Sequence, residues 1–570
     1  MDLQTLLEVR DLRVGFGREN ERRMAVNHVS YSLRRGMTLG LVGESGSGKS
    51  VSSMALMGLL PTGATCRVEG QALLRTRSGA VVDLLAMSER ELRRYRGGAI
   101  SMVFQEPMTS LNPMQRCGAQ VVEMLRQHEK VGRREAKARV IALFEEVQLP
   151  RPEVIFRSYP HEISGGQKQR VMIAMALVCN PQLLIADEPT TALDVTVQRS
   201  ILDLLKRLQL SRDLSVIFIT HDLGVVAQVA DEVAVMYKGA IVEQGSLESI
   251  VHHATHPYTR GLFACRPPLE GRPLLLPTVE DYMRDTSQQA PQQETSEQRT
   301  RRLEQMYASQ PILSVRDLSV DYVLKRNLLG KPLQTMKAVQ SVSFDLFQGE
   351  TLGLVGESGC GKTSLGRALL QLLHVSSGSV SYRGQRLDAM SSSELRRLRT
   401  RLQIIFQDPY SSLNPRMTVG RAIEEPLQYH HLCVDAAERR KRVVELMEQV
   451  GLDEGCFDRY PHEFSGGQRQ RVCIARALIV QPEVVVCDES VSALDVSVQS
   501  QVLNLLNTLK RRYGFAYLFV SHDLSVVRFL SDRILVMRNG VVVEQGDADA
   551  LFAHPQHAYT QSLLGAIPRL

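Results

Sequence analysis

The sequence predicts an α/β chain built twice over, as two tandem phosphate-loop domains, each with a mixed sheet at its core. Three observations carry this. The glycine-rich octapeptide GESGSGKS at Gly43–Ser50 returns as GESGCGKT at Gly356–Thr363. Each copy follows a short apolar segment (MTLGLVG, ETLGLVG) and runs into a helix-periodic one (SVSSMALMGLL, SLGRALLQLL), so both read as strand, loop, helix. The segments trailing the loop also return in order. SGGQKQR from Ser164 recurs as SGGQRQR from Ser465, ADEPTTALD from Ala186 as CDESVSALD from Cys487, and His221 as His522. One glycine-rich match is weak evidence, but an ordered set repeated in full marks two homologous nucleotide-hydrolysing halves.

Each half opens on alternating apolar residues, LLEVRDLRVGF and ILSVRDLSVDY, the pattern of a strand with one face buried. The runs QLLIADE and EVVVCDE lack that alternation and read as parallel strands buried on both faces. From Pro267 to about Gln310 the composition turns polar, including SQQAPQQETSEQRTRR, and predicts a flexible linker with a short helix over Arg301–Tyr307. The division is therefore a first domain over 1–266, a linker over 267–311 and a second domain over 312–570. Two differences fall where surface loops absorb length: a longer excursion around Leu73–Arg96, and the insertion LKRNLLGKPLQT after Tyr322.

Composition narrows the class. At 44% hydrophobic and 23% charged residues the chain is ordinary globular protein, and a net charge of +6 over 570 residues reads as solubility rather than attraction to an anionic surface. Nine scattered cysteines form no CxxC pair or Cys/His ligand spacing, which argues against zinc or iron–sulfur centres and for reduced thiols in a cytosol. The N-terminal MDLQTLLEVRDLRV lacks the basic start and apolar core of a signal peptide. The nearest thing to a membrane span, VMIAMALVC, is far too short, so any membrane role is borrowed from another subunit.

The chemistry resides in the repeated motifs. Gly43, Gly46 and Gly48 let the backbone turn so that successive N–H groups face phosphate oxygens, with Glu44, Ser45, Ser47 and Val51 completing the loop and helix start. Lys49 supplies a full charge to the β- and γ-phosphates of ATP, and the Ser50 hydroxyl ligates Mg²⁺. Gly356, Glu357, Ser358, Gly359, Cys360, Gly361, Lys362, Thr363 and Ser364 repeat these roles. Asp187 and Asp488 end buried strands, where charge is costly unless a cation such as Mg²⁺ compensates it. The next residues, Glu188 and Glu489, are placed to polarise an attacking water. His221 and His522 follow at the same spacing and suit sensing of the γ-phosphate, while Gln105 and Gln407 complete Mg²⁺ or water coordination. Ser164, Gly165, Gly166 and Gln167, with Ser465, Gly466, Gly467 and Gln468, give each half a second anion-binding helix start. Docking of these on the partner domain's nucleotide would sandwich each ATP between halves. Cys360, amid N–H groups and beside Lys362, is expected to have a lowered thiol pKa.

Taken together, the glycine-rich loop, Gln105 and Gln407, the SGGQ signature, the Asp-Glu strand, the ALD loop and the histidine resemble the ABC-type ATPases across nearly the whole chain. More narrowly, EPMTSLNP and DPYSSLNP, PHEISGGQ and PHEFSGGQ, and the tails HPYTRGL and HAYTQSL resemble the ATPases of dipeptide, oligopeptide and nickel importers. The two-in-one layout is similar to the fused ATPases of glutathione importers and of the peptide importers associated with microcin C uptake. The resemblance implies a helical subdomain in each half, a head-to-tail ATP sandwich, and stacking of Phe16 and Tyr322 on adenine. It also implies two transmembrane permease subunits, an extracytoplasmic solute-binding protein and a peripheral place on the cytoplasmic face of a bacterial inner membrane. Cargo is expected to be peptidic or glutathione-like, with nickel or a metal chelate as the alternative. A soluble twin-cassette factor acting on ribosomes or nucleic acid would favour a long, charged, helical interdomain segment. A DNA-repair version would add zinc-ligand cysteines, and a fused exporter would carry spans in the same chain. No nucleic-acid partner is therefore expected.

Overall fold

The computed structural model describes residues 2–18, 22–61, 65–105, 110–191, 193–284, 292–327, 332–492 and 494–567. The start of the EPMTSLNP stretch, Ala192 and Ala493 of the ALD loops, and part of both the linker and the LKRNLLGKPLQT insertion lie outside them.

Among the described residues the first half has ten strands: β1 (Thr5–Phe16), β2 (Arg23–Arg34), β3 (Thr38–Val42), β4 (Cys66–Arg75), β5 (Val81–Asp83), β6 (Ile100–Val103), β7 (Leu183–Asp187), β8 (Ser215–Thr220), β9 (Glu232–Tyr237) and β10 (Ala240–Ser246). They form two sheets. An antiparallel one runs β2-β1-β4-β5; a six-stranded one runs β10-β9-β3-β8-β7-β6, parallel except for its edge strand β10. The second half repeats both with β11 (Leu313–Arg326), β12 (Pro332–Leu346), β13 (Thr351–Val355), β14 (Ser377–Tyr382), β15 (Gln385–Arg386), β16 (Leu402–Ile405), β17 (Val484–Asp488), β18 (Ala516–Val520), β19 (Arg533–Arg538) and β20 (Val541–Asp547), in the orders β12-β11-β14-β15 and β16-β17-β18-β13-β19-β20.

The parallel strands β3, β7, β8, β13, β17 and β18 are buried along their whole length, as their unbroken apolar runs require. Register then does the positioning. Val42 lies beside Thr220, and Asp187 beside Ile219, so β3, β7 and β8 end level. The loops leaving their carboxyl ends therefore converge, the usual place for ligands in open α/β sheets. Between β6 and β7 a helical layer of Cys117–His128, Arg133–Glu146, Pro152–Arg157 and Gly165–Leu177 packs on the sheet through Val121, Val140, Phe144 and Ile173. In the second half the corresponding helices are Val419–Tyr429, Ala436–Gln449 and Gly466–Leu478.

Two segments differ from the sequence reading. The described ends of the insertion after Tyr322 lengthen the β11–β12 hairpin, pairing Tyr322 with Met336 and Lys325 with Gln334. The polar linker is largely ordered. Leu276 is buried in the core of the second half, and Val279 in that of the first. Leu276 exchanges both backbone hydrogen bonds with the Asn504 amide, at 2.7 and 2.8 Å. A helix over Ser296–Tyr307, capped by Thr295, begins five residues earlier than expected. Its arginines explain why a polar segment stays put. Arg299 reaches Asp547 at 2.6 Å, Arg302 reaches the buried Asp532 at 2.8 Å, and Arg272 reaches Asp549 at 2.9 Å. Composition reports low hydrophobicity, but not that the opposing surface carries matching carboxylates.

Candidate functional site

Both sites grow from the turn after the central strand. Gly48 and Gly361 are the residues before the loop helices, at φ of 100° and 107°, and a Cβ there would meet the carbonyl oxygens of Ala25 and Ala338 at 2.4 and 2.1 Å. No side chain fits. Lys49 and Lys362 then enter the helices nearly fully buried. The Lys49 Nζ donates to the carbonyls of Gly43 and Glu44 at 2.7 Å, and the Lys362 Nζ to those of Gly356 and Glu357 at 2.7 and 2.9 Å. Burial lowers the Lys49 pKa, and the charges of Glu188 and Asp187 partly restore it.

The Asp-Glu pairs sit across the loop from these lysines. The Ser50 hydroxyl donates to Asp187 Oδ1 at 2.9 Å, and the Thr363 hydroxyl to Asp488 Oδ1 at 2.9 Å. Burial pushes Asp187 up to about 6 against that hydrogen bond, and pushes Asp488 up as well. Glu188 and Glu489 adopt left-handed backbone, φ 46° and 47°, unusual for residues with a Cβ and associated with functional sites. Gln105 and Gln407 each donate an amide to these carboxylates at 2.9 Å. Thr191 adds a hydroxyl to Glu188 at 2.9 Å. The His221 Nδ1 lies 3.0 Å from Glu188 Oε1, whereas the His522 Nδ1 stands 3.5 Å from Glu489 Oε2, a charge contact without a hydrogen bond. Burial opposes charge on both glutamates, but their histidines and lysines outweigh it and hold the carboxyls below the usual range. The His221 pKa is raised because the Glu188 hydrogen bond overcomes its burial. The structure thus brings the predicted residues together, and within the chain Gln105, Gln407 and His221 hydrogen-bond to the glutamates.

Tyr322, Ser358, Lys362, Thr363, Gln407 and Glu489 line one cavity of about 360 Å³, and the Tyr322 hydroxyl lies 3.2 Å from that of Ser364. In the first half Phe16 and Val51 are half-buried against the same core cluster. Cys360 departs from expectation. It is 6% exposed, and burial pushes its thiol up despite Lys362 and the loop N–H groups. The lysine's ammonium is turned onto loop carbonyls, so its field does not win and no enhanced reactivity follows.

Ser164 and Ser465 cap the signature helices by accepting from the Gln167 and Gln468 amides, while each glutamine accepts in return from the serine N–H. Gly165 and Gly466 have open surroundings. Gly166 and Gly467 do not: a Cβ would meet Val197 and Val498 Cγ1 at 2.7 and 2.2 Å.

Sequence reasoning missed two sets of contacts. One joins the halves: the Ser45 N–H donates to Asp495 Oδ2 at 3.3 Å, and the Thr196 hydroxyl to Glu357 Oε1 at 2.9 Å. The aspartate of the second ALD and the segment after the first thus touch the opposite glycine-rich loop. The other is the tail tyrosines. The hydroxyl of buried Tyr258 accepts from the Glu44 N–H at 3.0 Å, and that of Tyr559 from the Glu357 N–H at 3.1 Å. Their repetition in HPYTRGL and HAYTQSL was the available signal.

A family model described as ABC transporter matches residues 26–191 and 339–492, and one for the oligopeptide/dipeptide transporter C-terminal region matches 242–291 and 543–570. Tyr258 and Tyr559 fall in the latter. Among curated relatives, the glutathione import ATP-binding proteins of Salmonella choleraesuis and Escherichia coli O6:H1 are 49% and 48% identical, over 100% of this chain and 90% of theirs. That of Pectobacterium atrosepticum is 47% identical, over 99% and 89%. A solved dimeric ATP-binding cassette in a post-hydrolysis state, bound to ADP and Pi, is 27% identical over 41% of this chain and 98% of its own, with a TM-score of 0.38.

Proposed function

The chain belongs to the ABC transporter family, and from that premise we propose that it is the ATP-hydrolysing, energy-coupling subunit of a bacterial importer for peptides, glutathione among them. One observation carries the reading. A complete hydrolytic constellation occurs twice, and each phosphate loop touches the other half. The oligopeptide-type C-terminal region after each cassette, and relatives named for glutathione import, support the cargo class.

The triphosphate of ATP lies on the N–H groups of residues 43–50 and 356–363, with Lys49 and Lys362 exchanging a loop carbonyl for a phosphate oxygen. Phe16 and Tyr322 stack on adenine. Glu188 and Glu489, already ionised, accept the proton of the attacking water, and their left-handed backbone aims them at it. His221 and His522 shift from these carboxylates to the γ-phosphate. The residues present fit Mg²⁺: a hydroxyl and a carboxylate already share an edge, and burial holds Asp187 and Asp488 at a cost that a dication relieves. Ser50, Asp187 and Gln105 would hold it in one half, and Thr363, Asp488 and Gln407 in the other. When bound, it neutralises charge on the phosphate oxygens.

Each signature helix start closes on the ATP of the opposite half. The test is Gly165→Asp, since Gly165 has no neighbour nearer than 3.8 Å, whereas a side chain at Gly166 would also disturb Val197. A carboxylate facing the triphosphate at Lys362 is expected to reduce hydrolysis by about tenfold or more, with folding unchanged. Normal transport by this variant would remove the sandwich.

Among the described residues no helix is long and apolar enough to cross a membrane. The reading puts the chain on the cytoplasmic face of a bacterial inner membrane, bound there by two permeases that an extracytoplasmic binding protein supplies; relatives named as import ATP-binding proteins support it. Proteoliposomes carrying all four components should accumulate labelled glutathione and oligopeptide with ATP. Uptake of a nickel chelate in place of both would reassign the cargo.

A further inference from the structure

In the first half, the helices Cys117–His128, Arg133–Glu146 and Pro152–Arg157 surround a hollow of about 630 Å³. Five cations line it (Arg116, Arg126, Arg133, Lys137 and Arg157) against one carboxylate, Glu123. Among the described residues none of the five forms an ion pair with a carboxylate, whereas Arg139, on the same helix as Lys137, pairs with Glu129 and Glu135. Two rest over aromatic rings, Arg116 over Tyr159 at 5.8 Å and Lys137 over Phe156 at 5.7 Å, which fixes their stems without neutralising them. The lining is apolar in part, through Ala119, Val122 and Phe156.

The second half is an internal control. Its helices repeat the layer, and Arg440 repeats the contact of Lys137, over Phe457. Yet Thr418, Gln428, Ala436 and Asp458 stand where Arg116, Arg126, Arg133 and Arg157 do. The matched lining there carries two cations, Arg421 and Arg440, against three carboxylates, Glu424, Glu425 and Asp458. The apolar lining changes as well, Ala119 and Val122 becoming Arg421 and Glu424. The second half keeps the same Thr363–Asp488 and Gln407–Glu489 arrangement without this charge, so that arrangement does not depend on it.

We propose that this hollow is a docking site for an acidic, partly apolar peptide segment of a protein partner, present on the first half alone. Size separates the occupants. Arg116 and Arg126 are ten residues apart along one helix, about 15 Å, too far for one phosphate-sized anion but matched to two or three turns of peptide. Convergence from three helices onto a concave surface suits a segment rather than a flat bilayer. The charges steer the encounter, and Ala119, Val122 and Phe156 cover the segment's apolar side.

The test uses the full chain and a fluorescein-labelled peptide of about twelve residues that alternates Glu with Leu and Ala, followed by anisotropy. Binding should weaken with salt and fall about tenfold or more in Arg126→Glu/Arg157→Glu. ATP turnover of this variant, unchanged, reports that it is folded. Arg126→Gln/Arg157→Gln is the milder second variant and should fall part of the way. Three results would overturn the proposal: no binding of the peptide by the wild type, equal binding by wild type and both variants, or charge-dependent binding of phosphatidylglycerol vesicles without binding of the peptide.

Discussion

Replacing Glu188 or Glu489 with Gln is expected to abolish most ATP turnover, each alone by well over tenfold, since a general base contributes about 10²–10⁴-fold. Glutamine keeps the shape and can still accept from Gln105 and Thr191, so the fold is undisturbed and the loss is chemical. The size of the single-variant effect also tests coupling. Independent sites would leave about half the turnover when one is lost. Here the aspartate of the second ALD and the segment after the first touch the other half's glycine-rich loop, through Ser45 to Asp495 and Thr196 to Glu357, so an arrested site holds its neighbour. Steady-state phosphate release by both single variants in the assembled complex decides it. Wild-type turnover from either would end the two-site reading.

Asp532→Asn should cost about 3–5 kcal/mol of stability, the usual result of stripping one partner from a buried charge cluster. Asp532 is 2% exposed and accepts from the Thr351 N–H at 2.9 Å and from Lys510 Nζ at 3.1 Å, with Arg302 of the linker at 2.8 Å. Without the carboxylate, Lys510 loses its ion-pair partner and Arg302 keeps only Glu294. Thr351 begins β13, whose far end carries the phosphate loop, so the linker is braced against the strand that positions Lys362. The sign with pH follows. Burial opposes its charge, but Lys510 and Arg302 hold the Asp532 carboxyl far below the ordinary aspartate value. Its stabilisation is thus full above about pH 4 and is lost as pH falls below that. Urea unfolding followed on the second half should show the drop at neutral pH and a shallower acid dependence in the variant. A change under about 1 kcal/mol would mean that the strap is ornamental. The first half offers the contrast: Asp231 accepts from the Thr38 N–H at 2.7 Å, but Gln209 stands where Lys510 does, and among the described residues no linker arginine reaches it.

The sequence by itself determined the duplicated α/β architecture, the two phosphate loops and the identity of the groups around them. These are local signals. Strand and helix periods, glycines needed by a tight turn and a short ordered motif set are written within a few residues of where they act. It named Asp187, Glu188 and His221 from motif order and spacing, and the level ends of the parallel strands in the structure bring them together. Tertiary structure decided what depends on burial and on partners distant in sequence. The Ser45–Asp495 contact spans 450 residues. Tyr258 reaches under a loop more than two hundred residues earlier. Cys360 looked activated from its neighbours in the chain, yet desolvation outweighs their pull. The polar linker looked mobile by composition, and is held because carboxylates of the second half wait opposite its arginines. Electrostatic energies depend on distance and on access of water, and neither exists until the chain has folded.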